Sequence, residues 1–411
     1  MDRLAALTSA CEMRRGAPYL EGANAVYMYA PLEVTCGACR AAGVYPFGRR
    51  DPLAWERDRG ESAITAGEEK RVASHDEPRS PSPALLEMAQ AYRQSAILMT
   101  ACQLDVFTHL ARGPLSAEAV AQRCQVPVRG LQRLLNACVV IDLLEKEAET
   151  YRNTPIADTY LVKDTPGYMG NFISFGMEHY EAWGRLIQAI REDGPTNPHA
   201  AEALHTLPPE RIRAYVEGLY DLGKHNAISI AERVDLASAR QMLDVAGGSG
   251  IYAITFAQRQ PGLRAVVFDL PPIVALTQEI IARHGMAERV SVRPGNYFHD
   301  DFGTGYDLVL LSNTLQTEGP KTCQMVLHKV FEALTPGGQL LIHGIMPNPD
   351  RISPPQAALF QLQMLLSFPE GDAHPAEDVC AWASEAGFVD LRVTRLPPPA
   401  FSSLVRGRKP A

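Results

Sequence analysis

Long apolar runs are missing from this chain of 411 residues. No stretch approaches the roughly 18 consecutive apolar residues that a membrane-spanning helix needs, so no membrane partner is expected. The opening residues, with Asp2, Arg3, Arg14 and Arg15, also lack the unbroken apolar core of a secretory leader, and a soluble, cytoplasmic protein is the expectation. Positive charge is short as well. The balance is −8 at neutral pH with no basic stripe, which argues against a nucleic-acid partner. Cysteine is present but sparse: Cys11, Cys36, Cys39, Cys102, Cys124, Cys138, Cys323 and Cys380 make no dense framework, so reduced thiols are the simplest reading. Cys36-Gly-Ala-Cys39 is half a metal site without a second pair, and no metal is expected. Apolar content is plentiful. At 46 % it can fill two cores in a chain too long for one ordinary domain.

The most informative stretch is Leu243-Asp-Val-Ala-Gly-Gly-Ser-Gly250. Met242 to Val245 is an apolar run suited to a buried parallel strand, the glycines let backbone approach a ligand, and Tyr252 to Arg259 continues as a helix whose N-terminus faces the turn. A second apolar run, Leu263 to Phe268, ends in Asp269, 19 residues after Gly250. Ligands of open α/β sheets lie beyond the carboxyl ends of strands, where a ribose offers two hydroxyls to one carboxylate. The third glycine of a dinucleotide fingerprint is missing: Gly248 and Gly250 are followed by Ile251, Tyr252 and Ala253, which leaves a pyrophosphate without its usual seat.

Asp244, Gly248 and Gly250 instead follow a D-x-G-x-G-like order, with Ala246 in the place of a first glycine. Further blocks are Asp269-Leu-Pro-Pro272, Pro294-Gly-Asn-Tyr-Phe298, Tyr306-Asp-Leu-Val-Leu-Leu-Ser312 and Leu334-Thr-Pro-Gly-Gly-Gln-Leu-Leu-Ile-His343, with Arg129-Gly-Leu-Gln-Arg-Leu-Leu135 and Tyr151-Arg-Asn-Thr-Pro155 upstream. On these blocks the chain, over roughly residues 85 to 408, resembles the small-molecule O-methyltransferase family that uses S-adenosylmethionine (SAM) and carries an N-terminal winged-helix dimerisation domain. That group includes plant phenolic, bacterial polyketide, carotenoid and bacteriochlorophyllide methyltransferases. The resemblance implies an α/β fold, a Rossmann-like class I methyltransferase domain behind a mainly helical winged-helix domain. It also implies SAM as cofactor, a small-molecule acceptor and a homodimer. It assigns the cofactor to Asp244, Gly247, Gly248, Gly250, Asp269, Leu270, Asn296, Tyr297 and Ser312. Asn296 stands where relatives carry an adenine-binding Asp, and an amide still gives and takes hydrogen bonds.

Four regions follow. Residues 1–80, rich in Gly, Pro and Arg without sustained periodicity, read as a poorly ordered extension without chemistry. Residues 81–165 read as the winged-helix dimerisation domain: Leu85, Met88, Ala89, Ile97, Leu98 and Cys102 recur at helical spacing, Ser116 caps a helix, another runs from Arg129 to Leu144, and Lys146 to Arg152 forms the wing. DNA binding is the alternative for such a module, but Glu118, Asp142, Glu145, Glu147 and Glu149 offset its arginines. Residues 166–238 read as a helical connector lining the acceptor pocket, with Phe175, Tyr180 and Trp183 as candidate contacts and Leu219 where relatives often place a methionine. Residues 239–411 form the SAM-binding domain, with parallel strands near 241–245, 264–268, 290–293, 307–311 and 339–343 and a terminal antiparallel pair near 390–395 and 402–406. Pro336-Gly337-Gly338 is the expected stop signal of the helix over 322–334.

Methylation of a phenol needs an in-line acceptor and removal of a proton. Relatives carry a histidine base after the fourth strand; here Gln316 stands in that place. General base catalysis is worth about 10²- to 10⁴-fold, whereas orientation supplies about 7 to 11 kcal/mol, so positioning alone can still sustain an enzyme. His343 reads as structural, His299 as solvated, and Glu318 as an acid–base group only if its loop folds inward. The expected activity is methyl transfer from SAM to a hydroxyl of an aromatic or polycyclic small molecule. The alternatives are methylation of an activated carbon, as in a tetrapyrrole, and a SAM-binding protein that has lost methyl transfer.

Overall fold

The architecture is that of a computed structural model, which describes residues 82–196, 207–397 and 400–411. The expected N-terminal extension and the Cys36–Cys39 pair lie outside the described residues. The described residues pack as one compact unit.

It opens with helices α1 (Pro83–Gln90), α2 (Tyr92–Gln103) and α3 (Val106–Leu110), then strand β1 (Leu115–Ser116), α4 (Ala117–Cys124), α5 (Val128–Val140), β2 (Leu144–Glu147), β3 (Thr150–Asn153) and α6 (Pro155–Tyr160). Ser116 caps α4 by accepting from Ala119 N at 3.3 Å, as its position before the apolar repeat suggested. The strands make a small antiparallel sheet in the order β1-β3-β2, and Phe107, Leu135, Leu144 and Tyr151 fill the core behind it. α5 stops at Val140, short of the expected Leu144. Asp142 takes a left-handed φ of 59°, Leu143 N closes back on Cys138 O at 2.9 Å, and Leu144 is free to pair with Asn153. α1 buries none of its residues; Leu85 is 65 % and Met88 73 % exposed.

The connector contributes α7 (Gly170–Trp183), α8 (Leu186–Glu192) and the long α9 (Pro209–Ala231). Then come β4 (Gln241–Val245), α10 (Ile251–Arg259), β5 (Arg264–Asp269), α11 (Pro271–Arg283), β6 (Val290–Pro294), β7 (Tyr306–Ser312), α12 (Pro320–Ala333), β8 (Leu334–Gly344), α13 (Pro355–Ser367), α14 (Ala376–Glu385), β9 (Val389–Arg395) and β10 (Ser403–Arg408). The sheet order is β6-β5-β4-β7-β8-β10-β9, with β4 to β8 parallel and the last two strands antiparallel, as the sequence pattern anticipated. One core lies between the sheet and α9, α10 and α11; the other lies between the sheet and α12 and α14. The Pro336-Gly-Gly338 segment does not end α12. It sits inside β8, because Leu334 already pairs with Tyr306 and Gly337, at φ 78°, donates to Lys409 O at 3.0 Å. The carboxyl ends of β4, β5, β6 and β7 share one edge, and the candidate site is built there.

Candidate active site

β4 runs into the turn Ala246–Gly250. Ala246 N donates to Phe268 O at 2.7 Å, which ties the turn to β5 and holds Ala246 at a left-handed φ of 52°. Gly248 and Gly250 share that backbone region, with φ of 54° and 72°. Any side chain at Gly250 would place its Cβ 2.9 Å from Thr277 Cγ2, and one at Gly247 would stand 2.7 Å from Asp244 Cγ. Thr277, on α11, donates its hydroxyl to Gly248 O at 2.6 Å and so fixes the turn from behind.

Asp269, half-buried at the end of β5, accepts from Gly248 N at 2.8 Å through Oδ2 and from Leu270 N at 2.7 Å through Oδ1. Each oxygen keeps lone-pair capacity for one further donor, which suits two ribose hydroxyls. Burial pushes this carboxyl up to about 6. Leu219, on α9, lies over the turn, its Cδ1 3.4 Å from where a Cβ on Gly248 would stand. Asp244 is placed differently from its assignment as a cofactor contact. It is wholly buried beneath the turn, neither oxygen has a hydrogen-bond partner within 3.5 Å, and burial pushes its carboxyl up to about 7 against the opposing pull of the Ala253 backbone N–H, with the charge of Asp269 adding to the rise. A group closed to solvent supports the backbone above it and does not face the groove.

Beyond β6, Asn296 uses its side chain locally: Oδ1 accepts from Phe298 N at 2.9 Å. Tyr297 reaches across to the loop after β7 and donates its hydroxyl to Glu318 Oε1 at 2.5 Å. That loop therefore folds inward, the condition under which Glu318 counts as a candidate. Glu318 also accepts from Thr317 Oγ1 at 3.3 Å, its backbone carbonyl accepts from His374 Nε2 at 2.8 Å, and burial raises its carboxyl pKa. Ser312, assigned to the cofactor, shares a hydrogen bond of 2.9 Å with His343 Nδ1. His343 Nε2 is taken by Ser402 Oγ at 2.9 Å, and burial drives the ring down to about 4, so His343 is neutral and held in place as a structural residue. His299 is exposed.

Gln316 lies in a short 3₁₀ turn, Leu315–Thr317. With Asn313, Gly344, Met346 and His374 it borders a cavity of about 20 Å³. Its Oε1 is buried without a hydrogen-bond partner.

The three aromatic candidates meet different neighbours. At 3.6 residues per turn, Phe175 and Tyr180 are about 140° apart around α7. Phe175 meets the ring of Tyr215 at 5.7 Å and borders a cavity of about 460 Å³ between α2, α7 and α9, together with Asn171, Glu178 and Arg211. Trp183 turns to α13 and donates Nε1–H to Gln363 at 2.6 Å. Tyr180 is half-buried and borders neither cavity. Tyr215 went unnoticed in the sequence, yet it stands between Phe175 and the cofactor end, close enough for the charge of Asp269 to act on its hydroxyl. Its signal was the four-residue spacing to Leu219 on one helix face. Thr277 could have been found in the same way, one turn from Ile273 and Ile281 on the buried face of α11.

Among the described residues no group of acidic, His or Cys side chains could hold a metal ion, and no helix is long and apolar enough to cross a membrane.

Comparison with known proteins bears on the same site. A model of the O-methyltransferase domain matches residues 183–389, and one of the O-methyltransferase dimerisation domain matches residues 86–163. The chain is 32 % identical over 336 residues to 3-hydroxy-5-methyl-1-naphthoate 3-O-methyltransferase of Streptomyces sahachiroi, covering 81 % of this chain and 97 % of that protein. It is 31 % identical over 342 residues to the tetracenomycin polyketide synthesis 8-O-methyltransferase of Streptomyces glaucescens, covering 82 % and 100 %. Human N-acetylserotonin methyltransferase, solved in complex with SAM, aligns with a TM-score of 0.74 at 26 % identity, covering 82 % of this chain and 100 % of that one.

Proposed function

Because this chain belongs to the O-methyltransferase family and is a SAM-dependent methyltransferase, we propose that it methylates a ring hydroxyl of a fused aromatic molecule of the polyketide type. The observation that carries the acceptor class is that two relatives, matched over nearly their whole length, act on hydroxyls of such ring systems.

The residues fit the cofactor. SAM supplies an electrophilic methyl group when bound. Asp269 takes the ribose, the turn Gly247–Gly250 gives its backbone to the amino-acid portion, and Asn296 and Tyr297 flank the adenine. Asp244 holds the turn from below. Tyr215, Leu219 and Phe175 supply apolar area above the groove, which excludes water and favours a flat ring. No imidazole takes the place of Gln316, so the chain's contribution is orientation, the part of catalysis worth about 7 to 11 kcal/mol in well-aligned reactions. The exposed apolar residues Leu86 and Met88 of α1, within the region matched by the dimerisation model, and the adjoining Leu85 support a homodimer built on this helix. A charge of −8 and the five unpaired cysteines among the described residues support a cytoplasmic setting and no nucleic-acid partner.

The test is transfer from SAM carrying a labelled methyl group to a panel of hydroxylated naphthalenes, anthraquinones and naphthacenes, read by mass spectrometry. Methyl ethers are expected. Label found on ring carbon or on nitrogen, or on no member of the panel, rejects the reading.

A further inference from the structure

Gln316 stands in the place of a base and cannot act as one, and the way its amide faces shows what it offers an acceptor instead. His343 has both ring nitrogens engaged by Ser312 and Ser402. Tyr252 lies on the far side of that ring, at 3.5 Å from Nδ1. His374 uses Nε2 on the carbonyl of Glu318, and Tyr297 and Thr317 both donate to Glu318 Oε1. Asp372, whose backbone N–H donates to Gln316 O at 3.1 Å, sends its carboxylate to Arg351 at 2.7 Å. Glu370 packs against Gly319, three residues further along the loop.

Gln316 itself is half-buried. Its Oε1 is the buried end, 3.4 Å from the position a Cβ on Gly344 would take, so the N–H₂ end of the amide is turned to the open side. An amide N–H₂ group donates and cannot accept a proton. It favours an oxygen that already carries negative charge, since hydrogen bonds to ionised acceptors are roughly twice as strong as neutral ones.

We propose that the enzyme takes its acceptor as an oxyanion, a hydroxyl acidified by a conjugated carbonyl as in hydroxyquinones and enolised dicarbonyls, with Gln316 Nε2–H donating to that oxygen. The inference rests on the hydroxyl reading above and narrows it. The proton leaves to solvent before the acceptor is seated. The acceptor oxygen then forms its bond to the methyl carbon as the carbon–sulfur bond breaks, and that electron pair stays on sulfur. No proton moves in the transfer itself. The magnitude is adequate: at pH 7 an ordinary phenol of pKa about 10 is ionised to about one part in 10³, whereas a hydroxyl of pKa about 7 is half ionised. That gain of several hundredfold lies within the 10²- to 10⁴-fold that a base would contribute.

The experiment is a spectrophotometric pH titration of 1,2-dihydroxyanthraquinone bound to the full chain with S-adenosylhomocysteine, followed by rates of methyl transfer to the same quinone and to 2-naphthol. The bound chromophore should ionise at least one pH unit below its free value. Gln316→Leu should return the midpoint by about a unit, and Gln316→Glu should carry it above the free value, with S-adenosylhomocysteine affinity in both variants reporting an intact fold. The acid limb of the rate profile should move with the acceptor's own pKa. A bound midpoint at or above the free value in the native chain overturns the proposal. So does an acid limb fixed at one pH for both acceptors and abolished in His374→Asn, which would mark a protein base. Failure of every hydroxyl probe to accept a methyl group overturns the hydroxyl reading, and this proposal with it.

Discussion

Replacing Asp244 by Asn should make the cofactor-free protein more stable, by an amount that grows with pH. Asp244 is wholly buried, neither carboxylate oxygen has a partner, and burial pushes its pKa from 3.8 up to about 7. The folded state therefore holds the proton more tightly than the unfolded chain. The stability this gives is fully present below about pH 4 and is lost as pH rises towards 7. Three units at about 1.4 kcal/mol each put the loss near 4 kcal/mol at pH 8 and near 2 kcal/mol at pH 5, as upper values because water entry and relaxation soften buried charges. Asn occupies the same volume and keeps a neutral polar group there, as the protonated acid does, so it removes only the ionisation cost. Urea denaturation of the native chain and Asp244→Asn at pH 5 and pH 8 measures this directly. The variant should gain about 2 to 4 kcal/mol at pH 8 and about half that at pH 5. An equal gain at both values, or a loss at pH 8, would show that Asp244 is not an ionisable burden beneath the turn and would refute the reasoning.

Three further outcomes follow from the same geometry. Asp269→Ala removes the proposed acceptor of two ribose donors, worth roughly 1.5 to 3 kcal/mol each, so calorimetry should show SAM affinity falling at least tenfold; unchanged affinity would remove this site. Ala246→Gly relieves a left-handed alanine that costs about 1 to 2 kcal/mol, offset by about 0.4 to 1 kcal/mol of added freedom in the unfolded chain, so stability in urea should rise by about 0.5 to 1 kcal/mol, and a decrease would show that the methyl packs usefully. Changing Leu85 and Met88 together to Asp should convert a dimer to a folded monomer in sedimentation, with circular dichroism unchanged; a dimer that survives would place the interface elsewhere.

Much of the fold was legible because its signals are local. The apolar runs ending at Val245 and Asp269 read as buried parallel strands, the alternation with helices forced right-handed crossovers, and the turn needed residues tolerant of positive φ, so the sheet edge that carries the turn and Asp269 could be named from the sequence. The departures were local signals outvoted by pairing. Helix propensity ran on past Val140 until Leu144 found Asn153, and a Pro-Gly-Gly stop signal became the entrance to β8 once Leu334 found Tyr306.

What each site residue has left to offer was decided by the tertiary structure alone. A sequence shows that Ser312 and Asp244 stand beside the turn. It does not show that Ser312 is engaged by His343, which Ser402 holds from 59 residues away, or that Asp244 is shut away from solvent beneath the turn. The hydroxyl that turns Glu318 inward comes from Tyr297, 21 positions earlier, and Phe175 meets Tyr215 of α9 whereas Trp183 reaches Gln363 of α13. Dihedral preference and apolar periodicity act within a few residues and are written in order along the chain. A free lone pair, the burial of a carboxylate, or the way an amide faces depends on atoms brought together only when the sheet and helices pack, and no spacing in the sequence encodes it.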